Sequence, residues 1–179
     1  MTNIVRLTAL RDRAGAESAI ERIFFAASGT TAFASVEARL AFRERWLGRY
    51  LVHDAGQVFV ALDGAGQIVG YLVGCLDDPA RTARFSDIGY FAEFAELTER
   101  YPAHLHVNLD AAARGGGIGS LLVEAFCEQV VAAKLPGVHV VTGAGARNAS
   151  FYQRLGFLEC GAATFSGHKV VFLGRVCLL

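Results

Sequence analysis

Two groups of residues have types and spacings suited to chemistry. The first is Arg114-Gly115-Gly116-Gly117-Ile118-Gly119-Ser120, placed between a predicted strand and a helix with apolar residues Leu121, Leu122, Ala125, Phe126 and Val130. Glycines at such a junction let several backbone N–H groups turn toward one point at the positive end of a helix dipole. That makes an anion site, most often for phosphate. In the second group, His104 and His106 alternate with Leu105 and Val107. Strand geometry sends both imidazoles to one face, together with Asn108 and Asp110. With an unperturbed pKa of about 6.5, two such rings suit removal of a proton from an ammonium group, directly or through water.

Several phosphate readings of the glycine run can be compared. A P-loop needs Lys before its Ser or Thr, and here Ser120 follows Gly119 directly. A dinucleotide fingerprint belongs near the first strand, with an acidic residue about twenty positions on. This run lies late in the chain, and Lys134 is the charge nearest that distance. A ligand-free structural turn is the plain alternative, but so dense a glycine run costs more conformational entropy than a turn needs.

The elements that must hold these residues follow from periodicity and punctuation. Ile4 to Leu10 reads as a strand, and Asp12 can cap a helix carrying Ala16, Ala19, Ile20, Ile23, Phe24 and Ala27. Ser35 can cap a second helix with Val36, Leu40, Leu47 and Leu51 on one side, Arg39, Arg43 and Glu44 on another, and Trp46 and Tyr50 near the boundary. Residues 57–62 and 67–76, joined by Asp63-Gly64-Ala65-Gly66, read as an antiparallel hairpin. Ser86 can cap a helix bearing Tyr90, Phe91, Phe94 and Leu97 until Pro102 stops it. That aromatic stripe is core or one wall of a pocket, and its spacing favours core. Then come a strand over His104–Asp110, a helix over Gly117–Ala133, a strand over Val138–Thr142, a short helix over Ala149–Leu155, and closing strands over Phe157–Cys160 and His168–Cys177. A strand, helix, strand sequence amid antiparallel hairpins implies an α/β or α+β class with a mixed central sheet and helices on both faces.

Composition bounds the rest. At about 150 residues per domain, 179 residues predict one domain spanning 1–179. Hydrophobic residues make up 53% and charged residues 19%, which excludes a chain disordered for want of apolar surface. Seventeen basic residues balance seventeen acidic ones, and no block of like charge appears, so nucleic acid and polybasic membrane binding are disfavoured. The first residues lack a basic start followed by an apolar run, and no uncharged apolar run would span a bilayer, so the expected location is cytoplasmic. Cys75, Cys127, Cys160 and Cys177 form no CxxC pair and read as buried small hydrophobes; no metal site is expected. The apolar excess and the β-rich run 170–179 are consistent with a homodimer.

The chain resembles the GCN5-related N-acetyltransferase (GNAT) family. The resemblance lies in Arg114-x-x-Gly117-x-Gly119, which matches that family's acyl-CoA loop, and in Phe151-Tyr152-Gln153-Arg154-Leu155-Gly156-Phe157, which looks like its later helix and following strand. The element order fits over the whole chain. The resemblance implies a GNAT-like acyl-CoA N-acyltransferase fold, with acetyl-CoA as co-substrate and direct transfer to an amine.

The family pattern implies roles residue by residue. The pyrophosphate would lie on the amides of Gly115, Gly116, Gly117, Ile118, Gly119 and Ser120, with Arg114 beside it. The pantetheine arm would pair with the main chain of Leu105, Val107 and Leu109, where the amide of Leu105 could polarise the carbonyl. Tyr152 aligns with the tyrosine that protonates the departing sulfur, and His104 and His106 are candidate bases. Arylalkylamine acetyltransferases show a similar His-Leu-His, which here sits one residue nearer the glycine loop. Asn148 and Phe151 complete the implied CoA contacts. Many members carry Asn where this chain has Gly145, so Asn148 can alternatively cap its helix.

The expected acceptor is a primary amine of a small molecule, walled by the Trp46–Tyr50 segment and by Tyr90, Phe91, Phe94 and Tyr101. A protein N-terminus or lysine is the alternative acceptor, and a non-catalytic acyl-CoA-binding regulator is the alternative class. The apolar insert from Asp77 to Pro102 argues against an open peptide groove.

Overall fold

A computed structural model describes residues 2–30 and 32–177. Leu178 and Leu179, part of the C-terminal β-rich run, lie outside the described residues. The chain divides into two compact units, one built from residues up to 74 with 106–126 and the other from 75–105 with 127–177.

In the first unit, β1 (Asn3–Arg6) is followed by α1 (Arg13–Ala27). The strand is shorter than the apolar run predicts. Leu7–Ala9 winds into a 3-10 turn closed by the Leu10 amide on the Leu7 carbonyl at 3.1 Å, which buries Leu7 completely. The Asp12 side chain accepts from the Gly15 amide at 2.9 Å and caps α1 as expected.

Ser35 likewise caps α2 (Val36–Arg43), accepting from the Ala38 amide. The helix then widens into a π turn over Glu44–Gly48, where the Arg49 amide reaches back five residues to the Glu44 carbonyl, and continues as α3 (Arg49–His53). The single apolar face expected for this helix is therefore broken. Val36 and Leu40 stay 68% and 53% exposed, whereas Leu47 is 0% and Leu51 3% exposed. A π turn advances less per residue than an α turn, so it rotates the later side chains away from the earlier stripe.

The predicted hairpin is present as β2 (Phe59–Leu62) antiparallel to β3 (Ile68–Cys75), and β2 also pairs with β1. Asp63 closes its turn by accepting from the amides of Ala65 and Gln67, both at 2.9 Å. A Cβ at Gly74 would lie 2.3 Å from the ring of Phe126, so only glycine lets that fully buried ring approach β3.

In the second unit, the helix expected after Ser86 is instead a 3-10 turn over Ala83–Phe85 and two short helices, α4 (Tyr90–Glu93) and α5 (Ala95–Arg100). Phe94 interrupts them with a non-helical backbone. Tyr90, Phe91 and Phe94 are all buried. Chain burial here is spread over several short turns rather than one amphipathic face, which is why a single helix does not form.

Strand β4 (Ala103–Leu109) starts in this unit and leads to α6 (Ile118–Ala132), β5 (Gly137–Gly143), α7 (Arg147–Arg154), β6 (Leu158–Phe165) and β7 (His168–Val176). β7 pairs antiparallel with both β5 and β6. The parallel ladder of β4 on β5 joins Ala103 to Val138 and His104 to His139 and stops before Leu105 among the described residues. The strand order is β1-β2-β3-β4-β5-β7-β6, a mixed seven-stranded sheet with helices, of the α+β class expected. Cys75, Cys127 and Cys177 are buried, whereas Cys160 is half-buried. Among the described residues, no helix is long and apolar enough to cross a membrane.

Candidate active site

Beyond Leu109 the chain makes a tight turn, with the Ala113 amide on the Asp110 carbonyl at 3.0 Å. It then enters the glycine run. Gly115 and Gly117 have φ of +83° and +80°, a region that side chains with a Cβ rarely adopt, so the turn into α6 depends on glycine at both. A Cβ built at Gly115, Gly116 or Gly117 would meet nothing within 4 Å. These glycines therefore do not relieve internal crowding; they leave bare main chain facing open space at the head of a fifteen-residue helix. Exposed main chain entering a long helix is where backbone N–H groups remain available to an anion.

Charges flank this glycine turn. Arg114 is exposed and donates to the Leu109 carbonyl at 3.3 Å. Asp110, one residue past β4, accepts from both terminal nitrogens of Arg22 at 2.8 and 2.9 Å. That bidentate bond holds the Asp110 carboxyl below the usual carboxylate range. Arg22, Asp110, Ala111, Ala113 and Ile118 line a cleft of about 460 Å³. Sequence reasoning missed Arg22, whose partner lies far along the chain.

The two histidines of β4 have very different surroundings. His104 is 2% exposed, with its ring 4.7 Å from Phe85, 5.5 Å from Phe91 and 5.6 Å from His139. His139 is itself stacked on Phe172 at 4.4 Å and donates through Nδ1 to the Tyr101 carbonyl. His104 thus belongs to a closed aromatic cluster.

The His106 ring meets Trp46 and Tyr50 edge-on, each at 5.6 Å. Its Nε2 is buried with no hydrogen-bond partner. Burial, with the charge of Arg49 adding to it, pushes the His106 pKa down to about 4, so the ring is neutral at physiological pH. Arg49 is only 8% exposed and follows directly on the π turn that buries this segment. The sequence offers the Trp46–Tyr50 segment as a candidate wall, and the structure sets Trp46 and Tyr50 against His106; nothing in the sequence singles out Arg49. Asn108 is engaged by donating to the Tyr71 hydroxyl at 2.8 Å.

Helix α7 carries Tyr152, and the cap expected from Asn148 is not made. The helix begins earlier than the pattern predicts, with Ala146 at the cap position, so Asn148 falls within the first turn. Its side chain instead accepts from the Thr142 hydroxyl at 2.8 Å, fastening α7 to β5. Tyr152 is buried, with its ring edge-on to Phe151 at 5.0 Å and Phe157 at 5.4 Å. Burial pushes its hydroxyl pKa up, so it stays protonated well beyond neutral pH. It is therefore present as the phenol, though the same burial makes it a weaker acid than a free tyrosine. Of the remaining implied contacts, Leu105 is buried, Val107, Leu109 and Phe151 are half-buried, and Gly119 is buried at the start of α6.

The sequence model of the acetyltransferase (GNAT) domain matches residues 54–159, and the chain belongs to that family of N-acetyltransferases. Solved structures agree in fold. SsHAT is 24% identical with a TM-score of 0.70, and PH1933 from Pyrococcus horikoshii OT3 is 18% identical with a TM-score of 0.71; each alignment covers 98% of both chains. The NatC complex bound to Gag peptide and CoA is 16% identical with a TM-score of 0.60, again over 98% of both chains. At these identities the likeness establishes the fold. A search of curated proteins gives no match.

Proposed function

We propose that the protein transfers an acetyl group from acetyl-CoA to the primary amine of a small molecule by direct attack, without a covalent acyl-enzyme. The observation that carries this reading is the cradle at Gly115–Gly117, whose open side a Cβ would fill. It fits a pyrophosphate, and Arg114 and the amides of Ile118, Gly119 and Ser120 extend it. When bound, acetyl-CoA supplies a thioester carbonyl and a leaving thiolate.

The chain's own residues then have separate tasks. The main chain of Leu105, Val107 and Leu109 holds the pantetheine arm, with Asn148 and Phe151 contributing from α7. The end of the β4–β5 ladder before Leu105 supports this use of its amide, which also polarises the carbonyl oxygen. His106 receives the proton that the amine nitrogen loses as the C–N bond forms, consistent with its neutral ring and unpartnered Nε2. Tyr152 donates its proton to the sulfur as the C–S bond breaks, giving amide and free CoA thiol. His104, closed within its aromatic cluster, shapes the strand that carries His106.

A small-molecule acceptor is supported by the segment 77–102, whose short turns bury Phe85, Ile88 and Phe91. The test is release of CoA from acetyl-CoA in the presence of separate pools of small amines and lysine peptides. Stimulation by the small amines is expected. Stimulation by peptides alone would move the assignment to a protein acetyltransferase.

A further inference from the structure

We propose that the cavity between the end of α1 and the start of α2 is a binding site for a small aromatic carboxylate, a ligand distinct from acetyl-CoA. The inference goes beyond the transferase reading and does not rest on it. The cavity has a volume of about 750 Å³, within the size range of small-molecule pockets. α1 ends at Ala27 and α2 begins at Val36, and Phe25 of the first helix and Arg39 of the second line the same space.

Its apolar part is aromatic and uncovered. Phe25 and Phe33 line it with ring centroids 6.0 Å apart, Phe42 stands 5.3 Å behind Phe33, and buried Phe24 stands 5.3 Å from Phe42. Phe25 and Phe33 are nevertheless only half-buried, and Val36 on the same wall is 68% exposed. The core thus fixes these rings from behind without covering them, which leaves the kind of apolar surface that ligand grooves present. The ring of a ligand can pack on them edge-on or offset.

Its charged part is a single cation. Arg39 is the one charged residue lining the cavity among the described residues. Its guanidinium lies over the Phe25 ring, 3.7 Å from the centroid, a stacking that steadies the group while leaving N–H donors at its rim. Its ion-pair partner, Glu21, is 4.0 Å from Arg39 but 2.6 Å from Nε of Arg43. One carboxylate therefore serves two guanidinium groups, and Arg39 holds the weaker share. Glu37, the acid in the first turn of α2, is hydrogen-bonded to Ser35, and the Ser28 hydroxyl is spent on the Phe25 and Thr30 carbonyls. A ring bearing a carboxylate satisfies both parts of the site at once. An aromatic amine would set like charge against Arg39.

The experiment uses the full chain and three probes of one size: 3-phenylpropionate, 3-phenylpropionamide and phenylpropylamine. Binding is read by calorimetric titration and by NMR shifts of the backbone amides. The acid should bind at least about tenfold tighter than the amide, weaken as salt is raised, and shift amides within residues 25–39, with the amine the weakest ligand. Arg39→Gln should cost the acid about tenfold and leave the amide unchanged, and Arg39→Lys should keep the preference for the acid.

Equal affinity for acid and amide, no binding of the acid at millimolar concentration, or shifts confined to the glycine run overturns the inference. So does an Arg39→Gln chain that binds the acid as wild type does. Shifts within residues 25–39 that follow protein concentration and not the acid would give the cavity to a second copy of the chain and equally overturn it. If Arg39→Gln does not fold, the comparison of acid with amide on the wild-type chain decides alone. None of these outcomes bears on acetyl transfer.

Discussion

The buried Arg49 helps keep the His106 ring uncharged. The ring is deprived of water, and the neighbouring guanidinium adds to that burial in holding it uncharged, with a pKa near 4. This has a consequence for stability that does not depend on activity. The unfolded chain protonates His106 at about pH 6.5, so between that value and 4 the unfolded state binds more protons and stability rises with pH. The contribution is fully present above about pH 6.5 and is lost as pH falls toward 4. Thermal melts from pH 7 to 4.5 should show a smaller acid-induced drop for His106→Gln than for wild type. Parallel slopes would mean that His106 is not buried as described.

The glycine cradle gives two substitutions with different signatures. Gly116 needs no left-handed backbone and has open space around it, so Gly116→Val should leave Tm within about 2 °C while weakening acetyl-CoA binding at least about tenfold. Gly117→Val places a Cβ at φ +80° and should weaken binding and also cost about 1–2 kcal/mol of stability. Calorimetric titration beside thermal melts separates the two effects. Unchanged affinity in Gly116→Val would remove the cradle from the cofactor site.

Arg22 and Asp110 form an exposed pair, which limits their worth to stability. Their effect on an anionic ligand should depend on which partner is removed. Arg22→Ala leaves the Asp110 carboxylate opposed by Arg114 but without its bidentate partner, and should weaken acetyl-CoA binding by about three- to tenfold at low salt, less at high salt. Asp110→Asn should leave affinity unchanged or tighter. Equal losses in both variants would point to a structural role for the pair.

Tyr152→Phe keeps the buried ring against Phe151 and Phe157 and removes only the hydroxyl. Turnover should fall by about 10²-fold, with acetyl-CoA affinity and Tm nearly unchanged. Because burial raises the phenol pKa, wild-type activity should show no basic limb from this residue up to pH 10. A matching loss of affinity would instead assign Tyr152 to packing.

What was legible in the sequence was mostly local. The caps of Asp12 and Ser35, the Asp63 turn and the glycine run each depend on residues a few positions apart, and each has the local structure its chemistry predicts. What failed depended on distant partners. The π turn that separates exposed Val36 and Leu40 from buried Leu47 and Leu51 leaves no mark on a 3.6-residue periodicity. Alternation on β4 put His104 and His106 on one face, but could not say that one meets Phe85 and Phe91 and the other Trp46 and Tyr50. Asn148 reads as a cap by residue type, yet its partner is Thr142 on a preceding strand. Arg49 looks like one more surface charge until the fold buries it.

The most direct test of the central claim is mass-spectrometric detection of acetylated amine and free CoA after incubating the protein with acetyl-CoA and separate amine pools. The expected result is equimolar formation of both products, dependent on a small amine and reduced at least about tenfold with Gly116→Val at limiting acetyl-CoA. Acetyl-CoA binding with no acetylated product from any pool would contradict the claim and make the protein an acyl-CoA-binding regulator.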